Sequence, residues 1–457
     1  MAQLACILLA AGEGKRFKSK LPKPLQRLCG RSLIDHVLGP LESLGAEKIV
    51  MVVGGGREQI YEAARGRPVE FCVQEQPIGT GHAVLCAEQA LRGFEGTVLV
   101  TCADIPLVSQ ATLQRLVDAH QAQRAEATIL TAIMPDPTGY GRIVRSRDGR
   151  VRAIVEHRDA TDEIRQIQEI NAGIYCFRSA SLFDELRRVK PDNVQGEYYL
   201  PDVIGRYVAA GDIVTAVQAE NADEVVGINT RRHLATAEQV ARDRARHRLL
   251  EEGVTLVAPD TVYVDSTVRV GCDTTIYPGA IILGETQIGE DCEIGPYTSI
   301  ENCTIGNGVR VRHGAVLSNC AVGNNAMVGP YSHVRSDSEV GDEALVGSFV
   351  EVVRSRLGNG AKQLHFGYVG DTQVGDGANI GAGAVTCNYD GVDKHETVIA
   401  EGAFIGSNSV LVAPVRVGRK AYVAAGSVIT EDVSEESLGI ARQRQTVKDD
   451  WSGPGKK

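Results

Sequence analysis

The sequence predicts a two-part α/β chain. A doubly wound, Rossmann-like domain covers residues 1–229, a linking helix covers 230–252, and a left-handed parallel β-helix of hexapeptide repeats covers 253–457. Three observations carry this. In the first half, continuous apolar runs alternate with stretches of helical spacing, while in the second half aliphatic residues recur at every sixth position. A single charged stretch separates the two. Length agrees, because 457 residues exceed one ordinary core.

The elements follow in order. "LACILLA", "KIVMVVG", "GTVLVTCAD" and "EATILTAIM" are apolar without alternation, as strands covered on both faces of a parallel sheet must be. Between strands, "LQRLCGRSLIDHVLGPLESLG" and "TLQRLVDAHQAQRA" carry helical spacing. An open sheet of this kind binds its ligand at the carboxyl ends of its strands, and Gly12 and Asp104 each sit just past such an end. From Thr230 to Glu252, a charged stretch with apolar residues near Leu234, Val240, Ala245 and Leu249 predicts one helix.

Beyond it, the six-residue step runs through Val264, Val270, Ile276, Ile282, Ile288, Ile294 and Ile300. It slips by one, resumes from Val322 through Val328, Val334, Val340, Val346 and Val352, and returns from Ile399 through Ile405, Leu411, Val417, Val423 and Ile429. A period of six suits neither a free helix nor a meander. It suits a triangular solenoid whose aliphatic residues stack coil on coil. Fifty glycines beside 5% aromatic residues fit such a repeat.

Composition narrows the function. The formal net charge of -10 argues against general nucleic-acid binding. No apolar run reaches the length of a membrane span and no signal peptide opens the chain, so a cytoplasmic protein is expected. Eleven cysteines without a C-x-x-C pair suit reduced, buried thiols. Against the acidic whole, seven basic residues and no acid lie between Lys15 and Arg31. The glycine loop that leads into them completes neither a Walker loop nor a dinucleotide fingerprint. By itself it is either a phosphate-gathering loop or a solvated one.

Two motif sets, occurring in one order, decide more. The first comprises "LAAGEGKRFKSKLPK", "VQEQPIGTGHA", "VTCADIPL", "PTGYGRI", "IVEHRDA", "EINAGIY" and "GEYYLPDVI"; the second, "AKQLHFGYVGD" and "NIGAGAVTCNYDG", interrupts the solenoid. From Leu9 to about Arg444 the chain resembles the bacterial bifunctional N-acetylglucosamine-1-phosphate uridyltransferase/glucosamine-1-phosphate acetyltransferase family. The resemblance implies uridylyl transfer from UTP and acetyl transfer from acetyl-CoA, in the supply of peptidoglycan and lipopolysaccharide synthesis, by a homotrimer joined through its β-helix.

In the first half, the resemblance gives Leu9, Ala10, Ala11 and Gly12 to the nucleotide and Arg16 and Lys23 to the phosphates. Gln74, Gly79 and Thr80 would read uracil; Gly141, Glu156 and Asn171 would hold the sugar; Asp104 and Asn229 would hold Mg²⁺. In the second half, His365 would be the acetyltransferase base, with Glu351, itself among the expected substrate-binding residues, a candidate to orient or tune it. Arg335, Tyr368, Asn379, Asn388 and Tyr389 match the sugar-phosphate set, the last two also lying toward acetyl-CoA, for which Ala382, Ser407, Ala425 and Arg442 are the further contacts.

The chain departs from the family at Phe17, Cys102, Ala103, Pro201 and Val353. Where Val353 stands, the family has a phosphate-binding lysine. Neighbouring side chains on a strand face opposite ways, so Arg354 is not expected to replace it, and weaker sugar-phosphate binding with acetyl transfer retained is the expectation. The C-terminal "DDWSGPGKK" is expected to be mobile. Two alternatives remain at this stage: a single-function sugar-1-phosphate nucleotidyltransferase whose β-helix only oligomerises, and a non-catalytic assembly factor of similar build.

Overall fold

The computed structural model describes residues 3–12 and 14–451 and separates into two compact units that part between Ala241 and Arg242. Residues 452–457, the end of the tail expected to be mobile, lie outside the described residues.

In the first unit, the predicted apolar runs become β1 (Leu4–Ala10), β2 (Lys48–Val53), β4 (Thr97–Cys102) and β5 (Ala127–Ile133). With them lie β3 (Glu70–Val73), a hairpin of β6 (Arg142–Arg145) and β7 (Val151–Val155), then β8 (Glu169–Arg178) and β9 (Val214–Gln218). The sheet order is β9-β5-β8-β4-β1-β2-β3, with the hairpin attached to β8. Only β8 among these seven runs against its neighbours, pairing antiparallel with both β4 and β5. Alternate residues of β1 explain its unbroken apolarity: Cys6 and Leu8 enter one core, Ala5 and Ile7 the other.

The helical spacing over residues 25–45 is only half realised. The helix runs from Leu33 to Ser43, and the residues before it form a two-stranded ribbon, Arg27–Leu28 with Arg31–Ser32. Cys29 and Gly30, at φ 46° and 83°, make the turn that stops the helix from extending backward. Ser32 then caps it, its hydroxyl accepting from the Asp35 amide.

One helix, Arg231–Glu251, spans the boundary between the units. Its Ala237 and Ala241 pack with Phe17, Leu28 and Leu107 of the first unit, and its Ala245 and Leu249 belong to the core of the second. No helix among the described residues is long and apolar enough to cross a membrane.

The second unit is the left-handed β-helix. Its short parallel strands stack in register on three faces, as in the columns Ile276–Ile294–Val311–Val328, Val264–Ile282–Ile300–Leu317 and Val270–Ile288–Ile305–Val322. These aliphatic residues are buried, each contributing on the order of 2 kcal/mol. The slip in the six-residue step lies where the face-to-face interval drops to five, from Ile300 to Ile305 and again from Leu317 to Val322. One coil is longer: Ile380 stacks on Ile405, and the extra chain holds the loop around Tyr389–Lys394.

Candidate functional site

The first site forms where β1 and β4 end. Gly14 has φ 62°, and a Cβ there would lie 2.6 Å from Lys23 Cβ, so the second glycine of the opening loop is what lets Lys23 come close. The loop then makes a 3-10 turn, Lys15–Phe17, anchored by the buried Phe17 ring. This gives Arg16 and Lys23 fixed starting points.

Lys23 Nζ donates to Asp104 Oδ2 at 2.6 Å and to Asn229 Oδ1 at 2.9 Å, and Arg16 Nη2 donates to the same Asn229 oxygen at 3.0 Å. Four residues from three distant segments of the chain thus meet, and Lys23 is only 11% exposed. The cleft above them is lined by Leu9, Ala10, Ala11, Gly12, Gln74, Gly79 and Thr80. Nothing would obstruct a Cβ on Gly12 within 4 Å, so the space beside it is open to a ligand. Ala103 and Cys102 line the same cleft, as does Glu197 of "GEYYLPDVI". Nothing along the chain marks Glu197 beyond its place in that segment.

No cluster of three or more His, Cys, Asp or Glu side chains exists among the described residues. The donor chemistry nonetheless suits a hard divalent cation, since the Asp104 carboxylate and Asn229 amide oxygen already converge on one positive group, the Lys23 ammonium.

Among the residues expected to read uracil, the buried Gln74 amide donates to the Gly79 carbonyl at 3.1 Å and meets His82 Nδ1 at 3.0 Å. Gly79 has φ 124°, and a Cβ would sit 2.4 Å from the Tyr198 carbonyl oxygen. The Thr80 hydroxyl accepts from the Leu200 amide at 3.0 Å. "GTGHA" and "GEYYLP" are therefore one packed unit, and Thr80 works as a pin in it.

Of the residues expected to hold the sugar, Gly141 lies against Glu156, whose Oε1 would be 3.0 Å from a Cβ at residue 141. Burial, with the nearby Asp159 and Asp202 charges, pushes the Glu156 carboxyl up to about 7. Asn171 donates to the Tyr175 hydroxyl at 2.7 Å and accepts from the Gly173 amide at 3.1 Å, which holds the bulge in β8 between Asn171 and Tyr175.

The second site follows from coil register. Gln363, Ile380, Ile405 and Val423 occupy equivalent positions on successive coils, so His365, Ala382, Ser407 and Ala425, each two residues on, form one column at a corner. The Arg442 side chain lies 3.9 Å from a Cβ at the adjacent Gly426. The expected base and the expected acetyl-CoA contacts thus share one edge. Asn379 stacks between Lys362 and Phe404 on the neighbouring face.

Elsewhere on the solenoid, Glu351 stacks on Tyr368, and Arg335, Val353 and Gly370 form the next outward column. Glu351 differs from expectation: its Oε1 accepts from Arg335 Nε and Nη2 at 3.0 and 2.7 Å, and no hydrogen bond joins it to His365 among the described residues. His365 itself is exposed, as is Tyr389. Arg354 also departs from expectation. The strand Val350–Val353 ends one residue earlier, and Arg354 turns at φ 47°, so strand alternation does not govern its direction. It pairs with Asp371, to which Asn388 also donates.

Residues 6–257 match the MobA-like NTP transferase domain family, residues 259–366 the GMPPB C-terminal domain, and residues 396–431 the bacterial transferase hexapeptide (six repeats). The chain is 47% identical to the bifunctional protein GlmU of Geobacillus sp. (strain WCH70) over 99% of its own length and 98% of the relative's. It is 45% identical to the GlmU protein of Shouchella clausii, covering 97% and 98%, and 44% identical to that of Brevibacillus brevis, covering 99% and 98%. Identity of that extent, across both units and both sites, means that this chain belongs to the family of bifunctional GlmU proteins.

Proposed function

We propose that the first unit transfers the uridylyl group of UTP to N-acetylglucosamine-1-phosphate, and that the second transfers the acetyl group of acetyl-CoA to the amine of glucosamine-1-phosphate. The observation that carries the first half is the convergence of Arg16, Lys23, Asp104 and Asn229 at the strand ends. A non-catalytic scaffold has no use for it.

In the uridylyl step, the sugar phosphate oxygen attacks the α-phosphorus of UTP in line, the new P–O bond forms, and pyrophosphate leaves. The attacking oxygen is already ionised, so no base is required. Arg16 and Lys23 orient the phosphates and offset the charge that moves onto the leaving group. Asp104 and Asn229 would hold Mg²⁺, with substrate phosphate and water as its other ligands, and the ion would supply further charge neutralisation. Gln74 and Gly79, which line the cleft, would read the base, and Glu156 and Gly141, which lie against each other, would hold the sugar.

In the acetyl step, His365 takes a proton from the sugar amine as its nitrogen bonds to the thioester carbon, and the thiolate of CoA departs. The column Ala382–Ser407–Ala425 gives the pantetheine arm a flat edge leading to His365. The chain works in the cytoplasm as a homotrimer. Its assembly is supported by a column of outward side chains on one face, Tyr263, Ile281 and Val316, each left about 40% exposed.

Pyrophosphate release from UTP with N-acetylglucosamine-1-phosphate, against glucose-1-phosphate, tests the first activity. Thiol release from acetyl-CoA with glucosamine-1-phosphate tests the second. Faster turnover of glucose-1-phosphate without thiol release would favour the single-function alternative.

A further inference from the structure

The corner that follows the outward column Arg335–Val353–Gly370 carries a ladder. Arg354, Asp371 and Asn388 stand on three successive coils, each just after its strand. Arg354 Nε and Nη2 donate to Asp371 Oδ1 and Oδ2 at 2.6 and 2.8 Å, and Asn388 donates to Asp371 Oδ2. The Tyr368 hydroxyl lies against the same corner, 2.5 Å from where a Cβ on Gly370 would sit. Of the residues matched to the sugar-phosphate set, Asn388 is thus tied into the ladder and Tyr368 lies beside it.

The backbone makes Arg354 unusual at this corner. Earlier coils place Gly284, Asn302, Asn319 and Ser336 at the same corner, all at φ between 48° and 65°. Glycine, asparagine and serine are small, and the first two tolerate the left-handed region well. Arg354 adopts φ 47° with a long side chain. Strain of that kind persists where surrounding contacts hold it and is a pointer to function.

The neighbouring position explains what the arginine is for. Val353 is apolar and fully buried, so the strand position supplies no cation in this chain. Arg335, in register with Val353 one coil earlier, is held through its Nε and Nη2 by Glu351, as Arg354 is held by Asp371. A guanidinium has five N–H donors, and a carboxylate clamp takes two of them, which leaves Nη1 to meet a doubly charged oxyanion. Arg354 remains 34% exposed, open to a ligand.

We propose that Arg354, clamped by Asp371, is a phosphate-binding cation of the acetyltransferase site, placed there by the left-handed turn. Resting on the acetyltransferase function proposed above, this inference adds a specificity residue to it. The weaker sugar-phosphate binding expected from Val353 alone counted charge along the strand; Arg354 returns that charge from the corner.

The test compares the full chain with Arg354→Gln and Arg354→Lys. Arg354→Gln is expected to raise KM for glucosamine-1-phosphate about tenfold or more, with kcat and the KM for acetyl-CoA within about threefold of the parent, the size of losing one charge-assisted phosphate contact. Arg354→Lys should recover part of that loss, and uridylyl transfer and melting should stay at parental values. A KM for glucosamine-1-phosphate within twofold of the parent in Arg354→Gln would overturn the assignment. So would a parallel rise in both KM values, which would mean that the corner geometry matters and the charge does not. If the parent shows no acetyl transfer, the proposed activity fails by itself. Calorimetric titration of glucosamine-1-phosphate into parent and Arg354→Gln chains then decides the inference: weaker binding in the variant supports it, and equal or absent binding in both overturns it.

Discussion

Glu156→Gln is the perturbation whose size follows most directly from the structure. Glu156 stands just after β7 with its carboxyl against Gly141, and its ordinary value of 4.5 rises to about 7. Burial is the largest cause, Asp159 and Asp202 add to it, and Arg142 opposes them. The folded state therefore holds the proton more tightly than the unfolded one. The stability linked to that proton is fully present below pH 4.5, is lost as pH rises through 7, and stays lost above it. A rise of that size corresponds to roughly 3 kcal/mol. Glutamine has the same shape without the titration. Between pH 5 and pH 8, Glu156→Gln should gain roughly 3 kcal/mol relative to the parent, or about 6–12 °C for a unit of this size. Calorimetry of the ligand-free full chain reads this in the transition that moves when UTP is added. If the difference between the two chains is the same at pH 5 as at pH 8, the burial argument is wrong.

Other outcomes can be checked alongside it. Gly79→Ala forces a Cβ to within 2.4 Å of the Tyr198 carbonyl at a positive φ, so it should destabilise the first unit by about 2–3 kcal/mol or more, read by calorimetry, and raise KM for UTP. Lys23→Met leaves the Asp104 carboxylate and Asn229 oxygen without their shared donor; uridylyl transfer should fall at least ~100-fold while thiol release from acetyl-CoA is unchanged. His365→Ala should show the reverse, a fall of roughly 10²–10⁴-fold in thiol release with pyrophosphate release intact. Chelation of divalent cations should stop pyrophosphate release and spare thiol release, and a uridylyl transfer rate indifferent to chelator would remove the metal role from Asp104 and Asn229.

Periodicity made most of the fold legible. Buried strands need apolar residues on both faces, and stacked coils need one aliphatic residue per face, so both halves wrote their architecture into spacing that no ligand or neighbour could alter. What spacing missed was local. The helix expected over residues 25–45 is shortened because Cys29 and Gly30 take positive φ, a backbone choice with no apolar signature. Motif residues were visible as types and order, but their partners were not. Nothing along the chain says that Thr80 is engaged by the Leu200 amide, that Asn171 secures a bulge, or that Glu351 is held by Arg335.

The same limit accounts for Arg354. Alternation along a strand is a sound rule while the strand lasts, and it places residues 351 and 353 outward as expected. It fails one residue later, because each coil must turn, and the turn is made at left-handed φ. In a solenoid, such corners recur every 17 or 18 residues and are stacked by the same register that stacks the core. A side chain lost from an outward strand position can thus be replaced from the corner beside it at no cost to the buried column. Charge at Arg354 and bulk at Val353 are independent choices, and a chain can exchange a strand cation for a corner cation while keeping its fold. That independence is what an Arg354→Gln, Val353→Lys double variant probes: a lysine at the outward strand position should return much of the affinity for glucosamine-1-phosphate that Arg354→Gln removes, and a KM as high as that of Arg354→Gln alone would refute the exchange.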